Sequence, residues 1–592
     1  MPVDTIPQRL FDRAAAAPDS PAYYSKVGGA WVPTGYRRYA EQVKHAGKAL
    51  MALGCAHGSS VAILGANRPE WVVADLACMA IGGAPAGIYA TSSPVEARYI
   101  VNHTESPVVF VDSDAQWQKI RAERANLPNL RWIVTMRGAV VNDPQVLSWD
   151  AFVARGEAIP DAAFFERIHA LEPGGIAALI YTSGTTGPPK GVMLSHANVA
   201  FAGTLAIEIA SLGCSDRLLS YLPLSHIAEQ IFSLYGPLTA GSAIYFAESI
   251  DHVPANLREV RPTVFFGVPR IWEKFHAAIA AKLATAGGAR KRVAAWALGV
   301  GQRASAYKMR GERLPLALEA QYRVANKVFF LRLKQAIGLD RGRLFVSGAA
   351  PIAREILEFF AALDIVVHEG YGQSENAGGT SINRPGRVKL GSVGVALPGV
   401  EAKIADDGEI LARGPNVFLG YYKDPAATAD ALVEGWLHSG DLGVIDADGF
   451  VSITGRKKDL IITAGGKNVA PTNIEAALKN HALVSEVVVI GDRRKHLTAL
   501  VTLDAEAGAR FREERGLDRG RPLHTDPAVV SEVQRALDAV NADMARVEQV
   551  KKFVILPSPF SIETGELTAT LKVKRKLVEE KFSAEIESMY QD

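Results

Sequence analysis

The chain has 592 residues, 48% apolar and 22% charged, with 53 Gly and 31 Pro; at roughly 100 to 200 residues per domain it is long enough for several domains, and its composition excludes a disordered, collagen-like or heptad-repeat chain. A formal net charge of +2 excludes an overall nucleic-acid field. Three widely spaced cysteines, Cys55, Cys78 and Cys214, supply neither a disulfide framework nor a CxxC zinc site, so a reducing, cytoplasmic compartment is the expectation.

The N-terminus, Met-Pro-Val-Asp-Thr, has no basic segment followed by an apolar one, and Pro2 stands where myristoylation would need Gly. The most membrane-like stretch, Trp71 to Ala90, carries Asp75, three Gly and a Pro, short of the roughly 18 uninterrupted apolar residues of a spanning helix. A soluble protein is expected. Up to about residue 380, short β-rich runs (Val61 to Leu64, Val108 to Val111, Ile176 to Tyr181, Thr263 to Phe266, Leu344 to Val346, Ile365 to His368) alternate with longer helical patterns. That alternation predicts layered α/β architecture with largely parallel sheets. From Gly391 to Ile453, short strands broken by Asp-Gly turns (Asp407-Gly408, Asp448-Gly449) predict hairpins in a small β subdomain, and residues 456 to 592 read as a compact α+β tail.

Between the runs Ile176 to Ile180 and Val192 to Leu194 lies Tyr181-Thr182-Ser183-Gly184-Thr185-Thr186-Gly187-Pro188-Pro189-Lys190-Gly191. Glycines let backbone N–H groups approach closely, hydroxyls donate hydrogen bonds, and lysine adds a point charge, a combination suited to polyphosphate. A Thr/Gly-rich hairpin turn would explain the glycines but not the hydroxyls and lysine together. The spacing is not that of a P-loop. Ser195 is a fitting N-cap for a helix starting near His196. The loop resembles the signature of the AMP-forming adenylating enzymes, the superfamily of acyl-CoA synthetases, peptide-synthetase adenylation domains and firefly luciferases. Further matches extend the resemblance from about residue 30 to the end of the chain. The resemblance implies a large N-terminal adenylate-forming domain (1–455, with its β subdomain at about 391–455) and a smaller mobile C-terminal domain (456–592). It also implies ATP, Mg²⁺ and coenzyme A as ligands, and makes Thr182, Ser183, Gly184, Thr185, Thr186, Gly187 and Lys190 the phosphate-binding residues.

Tyr221-Leu222-Pro223-Leu224-Ser225-His226 resembles the family motif whose histidine lies near the acyl carboxylate, so His226 is given a positioning role; core packing is the plain alternative for a histidine among apolar residues. Phe265, Phe266 and Gly267 follow a strand-like run and are expected to wall an acyl tunnel, with core packing nearly as good an account. Pro269-Arg270-Ile271-Trp272-Glu273-Lys274 continues a resemblance to the long-chain, bubblegum-type subgroup. From Arg290 to Arg343, 13 Lys and Arg face only Glu312, Glu319 and Asp340, an excess of ten positive charges that leaves the rest of the chain at −8. A solvated helical face is the ordinary reading. The sharper one is a peripheral contact with an anionic membrane, because Trp296, Leu298, Phe329, Phe330 and Leu331 interleave with the charges. Nothing else in the chain suggests nucleic acid.

Ser347-Gly348-Ala349-Ala350-Pro351 resembles the loop that walls the adenine pocket. His368-Glu369-Gly370-Tyr371-Gly372-Gln373-Ser374-Glu375-Asn376 follows an apolar strand, and strand ends are where α/β sheets bind ligands. By resemblance Tyr371 stacks on adenine beside Gly372, Ser374 contacts the α-phosphate with a hydroxyl where threonine is commoner, and Glu375 is the metal carboxylate. In Trp436-Leu437-His438-Ser439-Gly440-Asp441 a carboxylate can accept bonds from both ribose hydroxyls, the role that the family gives to Asp441. Gly455-Arg456-Lys457-Lys458-Asp459 resembles the linker in which Arg456 reaches the ribose and Lys458 is the hinge. In Ile461-Ile462-Thr463-Ala464-Gly465-Gly466 the resemblance makes Gly465 and Gly466 line the pantetheine tunnel. In Gly565-Glu566-Leu567-Thr568-Ala569-Thr570-Leu571-Lys572-Val573-Lys574-Arg575-Lys576 it singles out Lys572 as the catalytic lysine, with Leu571 in place of the usual Gly, as the long-chain subgroup often has.

The activity implied is ATP-dependent long-chain fatty acid–CoA ligation, with catalytic groups Lys572, Glu375, Lys190 and His226. The alternatives are a fatty acyl-AMP ligase loading a carrier-protein phosphopantetheine, a luciferase-like oxygenase, and a catalytically dead lipid-binding protein. The last is disfavoured by the joint presence of Lys190, Glu375, Asp441, Arg456 and Lys572.

Overall fold

The computed structural model describes residues 4–182, 188–285, 287–464, 467–542, 544–568 and 572–591. An eight-stranded sheet runs in the order Gly420–Tyr421, Lys190–Ser195, Ile176–Thr182, Ala84–Ile88, Ser60–Leu64, Val108–Val111, Trp132–Thr135, Val146–Ser148. Its six strands from Ile176–Thr182 to Val146–Ser148 are mutually parallel. Parallel strands are covered by helices on both faces and therefore read as continuous apolar runs, which is what made them visible in the sequence. The stretch Trp71 to Ala90 is one such covered unit. The helix Pro69–Ala80 is buried from Glu70 onward, and the chain returns directly into the fully buried strand Ala84–Ile88. Among the described residues no helix is long and apolar enough to cross a membrane.

A second sheet places Val264–Gly267, Leu344–Ser347 and Val367–Tyr371 in parallel, then adds the short antiparallel strands Ser381–Ile382 and Val395–Ala396. The strand expected at Ile365 to His368 starts two residues later. Asp364 turns left-handed at φ 62°, and the Ile365 N–H closes the preceding helix on the Phe360 carbonyl, so ladder pairing begins at Val367. Ile365 is buried as helix-end packing, a role that apolarity alone does not distinguish from a strand. The shift carries the strand to Tyr371, at the sheet's ligand-facing end. A third sheet joins Arg217–Ser220, Ala243–Phe246, Pro21–Val27 and Ala30–Gly35.

The β subdomain is an antiparallel sheet of Glu401–Ile404, Glu409–Arg413, Leu432–Val433, Trp436–Ile445 and Val451–Arg456. Gly408 and Gly449 occupy its Asp-Gly turns at φ 86° and 82°, which suits glycine because it lacks the Cβ that penalises positive φ. One segment leaves this sheet: Gly420–Tyr421 crosses to pair with Met193 and Val192 at the edge of the eight-stranded sheet. Beyond the turn Lys457–Asp459, the tail builds its own core from the three-stranded sheet Val484–Ile490, Leu497–Leu503, Val550–Ile555 and the helices Pro471–Lys479 and Pro527–Ala542. The helix Ser583–Tyr590 packs on that sheet's other side.

Candidate active site

The sheet edges and the tail converge on one cleft. At its centre is Asp441, in the strand Trp436–Ile445 and directly opposite Arg456 in the antiparallel register. The Tyr371 hydroxyl and the Gln373 amide both donate to Asp441 Oδ2 at 2.8 Å, and Arg456 Nε lies 3.1 Å from Oδ1. Gln373 also donates to the Ser439 carbonyl, and the Asp441 N–H returns to Ser439 Oγ. Burial, with the Asp441 charge added, pushes the Tyr371 phenol well above its ordinary pKa, so it stays a donor. Gly372 is required beside it, because a Cβ there would sit 2.3 Å from the Gly378 carbonyl. Gln373 escaped the sequence reading. Its amide type and its position between Gly372 and Ser374 were the available signal.

Gly348 and Ala349 follow the strand Leu344–Ser347. Gly348 packs against the Gly370 carbonyl and the Phe266 ring, Ala349 is left-handed at φ 70°, and Ala349 and Ala350 are exposed at the rim. Phe266 stacks on Phe232 with ring centres 4.7 Å apart. Phe265 lies in the aromatic core with Tyr221, Trp272 and Phe275, while Trp272 Nε1 bonds the Gly267 and Val346 carbonyls. Of the three residues expected at an acyl wall, Phe266 is half-buried, whereas Phe265 and Gly267 are packed inside.

Thr182 and Lys190 are partners in the antiparallel ladder that flanks the phosphate-like loop; Ser183, Gly184, Thr185, Thr186 and Gly187 lie outside the described residues. The loop's first residue is clamped, with the Tyr181 hydroxyl 2.8 Å from His103 Nδ1. Ser195 caps the helix that begins at His196 in a reciprocal box with Asn198. Lys190 Nζ sits 4.7 Å over the ring of Tyr421, whose hydroxyl donates to Glu375 Oε1 at 2.8 Å. Glu375 lies in the short turn Ser374–Asn376 and is half-buried, while Ser374 is buried. Tyr421 was absent from the sequence reading because its crossing to the large sheet is a tertiary event.

His226 caps the short helix Ile227–Gln230, its Nδ1 accepting from the Ala228 N–H at 3.2 Å, which implies a proton on Nε2. Burial lowers its pKa to about 4, with the positive charge of Lys572 acting in the same direction, so the ring is neutral at neutral pH. The loop before it is tied by Glu229, 2% exposed, which accepts from Ser220, Ser233, the Tyr221 N–H and Asn67. Asn67 Oδ1 in turn accepts from the Leu224 N–H. Burial raises Glu229 to about 8, so it is largely protonated at neutral pH.

The tail delivers Lys572 to this cleft. Flanking residues hold it: the Lys572 N–H donates to Thr568 Oγ1, the Thr568 N–H donates to the Lys572 carbonyl, and Leu567 bridges Val573. The Lys572 side chain as a whole is exposed, while protein atoms crowd its ammonium end. Burial first and the Arg456 charge second depress its pKa, while Asp441 and Glu375 oppose them. Lys572, Arg456, Asp441, Glu375 and His226 therefore share one electrostatic environment, from motifs up to 346 residues apart in sequence. Lys458 is exposed in the turn Lys457–Asp459; its neighbour Lys457 pairs with Asp407 and Glu409. Gly465 and Gly466 lie outside the described residues. Such a cleft, with three cationic side chains and two carboxylates, can bind a polyphosphate, a vicinal diol and a divalent cation side by side.

This fold and cleft define an AMP-binding enzyme. Residues 10–422 match the family model described as AMP-binding enzyme, and residues 458–592 match its C-terminal domain, so the chain belongs to that family. It is 37% identical to the Xenopus laevis long-chain-fatty-acid–CoA ligase ACSBG2, over 100% of this chain and 84% of that protein. It is 36% identical to the long-chain-fatty-acid–CoA ligase FadD15 of Mycobacterium bovis, over 99% of this chain and 97% of the relative. Among solved structures, the anthranilate CoA ligase AuaEII in complex with anthranoyl-AMP shares the fold, with a TM-score of 0.74 at 21% identity, covering 98% of each chain.

Proposed function

We propose that the protein is an ATP-dependent, AMP-forming long-chain fatty acid–CoA ligase with a mobile C-terminal domain (456–592) hinged at Lys458. The observation that carries the proposal is the arrival of Lys572, from the tail, in the cleft that holds Asp441, Glu375, Arg456 and His226. Full-length relatives of this name support the acyl substrate and the thiol acceptor.

Oxide is a poor leaving group, so a carboxylate does not acylate a thiol at neutral pH until its oxygen becomes part of a phosphate ester. In the first half-reaction a fatty carboxylate oxygen attacks the α-phosphorus of ATP, and the bond from that phosphorus to the pyrophosphate oxygen breaks. Catalysis of this in-line transfer is mainly positioning and charge stabilisation. Asp441 binds the ribose hydroxyls with Arg456 beside it, and Tyr371 stacks on adenine next to Gly348 to Ala350. Ser374 donates to the α-phosphate, while Thr182 to Gly187 and Lys190 cradle the β- and γ-phosphates. Lys572 places its positive charge at the reacting oxygens. Neutral His226 donates from Nε2 toward the acyl carboxylate without competing for it as a cation.

A nucleotide-bound Mg²⁺ takes one or two protein carboxylates and fills its remaining sites with phosphate oxygens and water. Glu375 fits that demand as the single carboxylate, because only one of its oxygens is engaged among the described residues. Bound there, Mg²⁺ would supply neutralisation of the triphosphate charge. In the second half-reaction the tail rotates about Lys458, Lys572 leaves, and Gly465 and Gly466 line the entry of coenzyme A. The thiolate attacks the acyl carbonyl and the carbon–oxygen bond to AMP breaks.

The test is AMP release from Mg·ATP with a ladder of fatty acids, with and without coenzyme A. Coenzyme A-dependent turnover peaking at long chains is expected. A single turnover regardless of coenzyme A would contradict the ligase reading and transfer support to a carrier-protein acceptor.

The same reading extends to a peripheral contact with an anionic bilayer. The structure narrows the basic block, since Lys308 and Lys334 are tied to Asp364 and Arg343 to Asp216. Arg290, Lys291, Arg292, Arg313, Lys327 and Arg332 make no ion pair among the described residues. The same segment carries exposed apolar side chains at Leu316 (90% exposed), Val324 (55%), Val328 and Leu331, and at Val293 and Trp296 on the helix Gly288–Met309. Exposed apolar side chains together with unpaired cations suit an anionic lipid surface. Charge reversal at Arg290, Lys291 and Arg292 should abolish sedimentation with phosphatidylserine vesicles at low salt; unchanged sedimentation would sink this extension.

A further inference from the structure

We infer that Tyr421 is a positioning residue that keeps the phosphate cation Lys190 and the metal carboxylate Glu375 in one cleft without letting them pair. The inference rests on the roles proposed above for those two residues. A lysine and a glutamate facing the same small volume tend to form an ion pair that cancels both charges. Among the described residues no ion pair joins them; each instead engages a different part of Tyr421. The phenolic hydroxyl donates to Glu375 Oε1 at 2.8 Å, and the ammonium lies 4.7 Å over the ring. A phenol can donate one hydrogen bond from its edge while its face attracts a cation, and neither contact neutralises a charge. The carboxylate keeps its second oxygen for a cation, and the lysine keeps its charge for phosphate.

The surrounding backbone fixes the ring. Tyr421 pairs with Val192, two residues beyond Lys190, so cation and ring are held in adjacent strands. Its N–H donates to Thr428 Oγ1. Gly420 adopts φ 134°, and a Cβ there would meet Thr428 at 2.6 Å, so the approach to the large sheet depends on glycine. The Phe418 N–H donates to the Glu375 carbonyl, and the Phe418 ring packs edge-on against Tyr421 at 5.0 Å. One segment therefore grips Glu375 at both its backbone and its side chain.

Tyr421→Phe preserves the ring and removes only the hydroxyl. It should weaken Mn²⁺ binding to the enzyme–ATP complex, read by electron paramagnetic resonance, by about tenfold, the order expected for one hydrogen bond to a charged group, while metal-free ATP affinity is unchanged. Tyr421→Leu removes the spacer as well and should also weaken metal-free ATP binding by about three- to tenfold, in line with a partly desolvated cation–π contact. In a Glu375→Gln background, Tyr421→Phe should add nothing to the loss of Mn²⁺ affinity. Unchanged Mn²⁺ and ATP affinities in a folded Tyr421→Leu protein, or full additivity with Glu375→Gln, would overturn the inference. If Glu375→Gln alone leaves Mn²⁺ affinity intact, the metal role of Glu375 fails instead, and a remaining Tyr421→Leu effect on ATP is then assigned to Lys190 by its loss in a Lys190→Ala background.

Discussion

Asp441 is gripped by Tyr371, Gln373 and Arg456 through contacts of 2.8 to 3.1 Å that the chain makes before Lys458. Lys572 reaches the same cleft from a tail whose polar contacts with the rest of the molecule, among the described residues, are longer: Lys574 to Glu96 at 3.8 Å, Arg270 to Asp504 at 3.8 Å and Asn480 to Glu355 at 3.4 Å. Short hydrogen bonds to a charged group contribute about 1.5–3 kcal/mol each, whereas longer ion pairs open to solvent contribute about 0–1 kcal/mol. In the mechanism proposed above, a nucleotide-binding carboxylate that serves both half-reactions is held in place, and a cation needed in only one of them is carried on a body that can leave.

Lys572→Ala breaks the removable side of this contrast and carries the largest expected effect. Acyl-AMP formation should fall by about 10²- to 10³-fold, the usual loss for a transition-state charge, while thioester formation from supplied acyl-AMP changes less than about threefold; equal loss of both steps would contradict the assignment. Asp441→Ala breaks the fixed side. It leaves the donors of Tyr371, Gln373 and Arg456 without their acceptor, so the KM for ATP should rise about tenfold or more and the affinity for AMP should fall in parallel, measured by calorimetry. Loss confined to one half-reaction would remove the contrast.

Glu229 tests whether the wall carrying His226 belongs to the fixed side. Its folded pKa of about 8 exceeds the ordinary 4.5, so folding binds a proton that the unfolded chain releases. Stability should therefore fall as pH rises through that window, with the full penalty present above about 8. Glu229→Gln, which keeps the hydrogen bonds without the titration, should flatten this decline in thermal unfolding midpoints; an unaltered slope would show the group does not titrate there. The smallest effect belongs to Glu96→Gln, which should slow adenylation by no more than about threefold and less at high salt, because a long pair in contact with solvent is screened.

Much of this architecture was legible in the sequence because its signals are local. Buried parallel strands announce themselves as apolar runs, Asp-Gly marks the turns at Gly408 and Gly449, and Asp441 and Lys572 stand in motifs dense with polar chemistry. Ile365 misled because a residue closing a helix end is as apolar as one in a strand. Tyr421 was invisible for a different reason: it belongs by sequence to the β subdomain and by hydrogen bonding to the large sheet. Gln373 and Glu229 likewise owe their importance to partners, Asp441 and the loop before His226, that lie on other elements. The excess of charge in the basic block was legible, but not that Asp364 and Asp216 draw three of its cations into structural pairs.

The division between a fixed nucleotide site and a removable lysine is tested most directly by locking the tail. Cysteines placed at Glu96 and Lys574, in a background where exposed Cys214 is Ser and the buried Cys55 and Cys78 remain, can be joined by a short bis-maleimide across the 3.8 Å side-chain contact. The locked enzyme should convert fatty acid and Mg·ATP to bound acyl-AMP and pyrophosphate and then stop, with coenzyme A unable to release acyl-CoA. Steady acyl-CoA production by the fully cross-linked protein would show that Lys572 never has to leave.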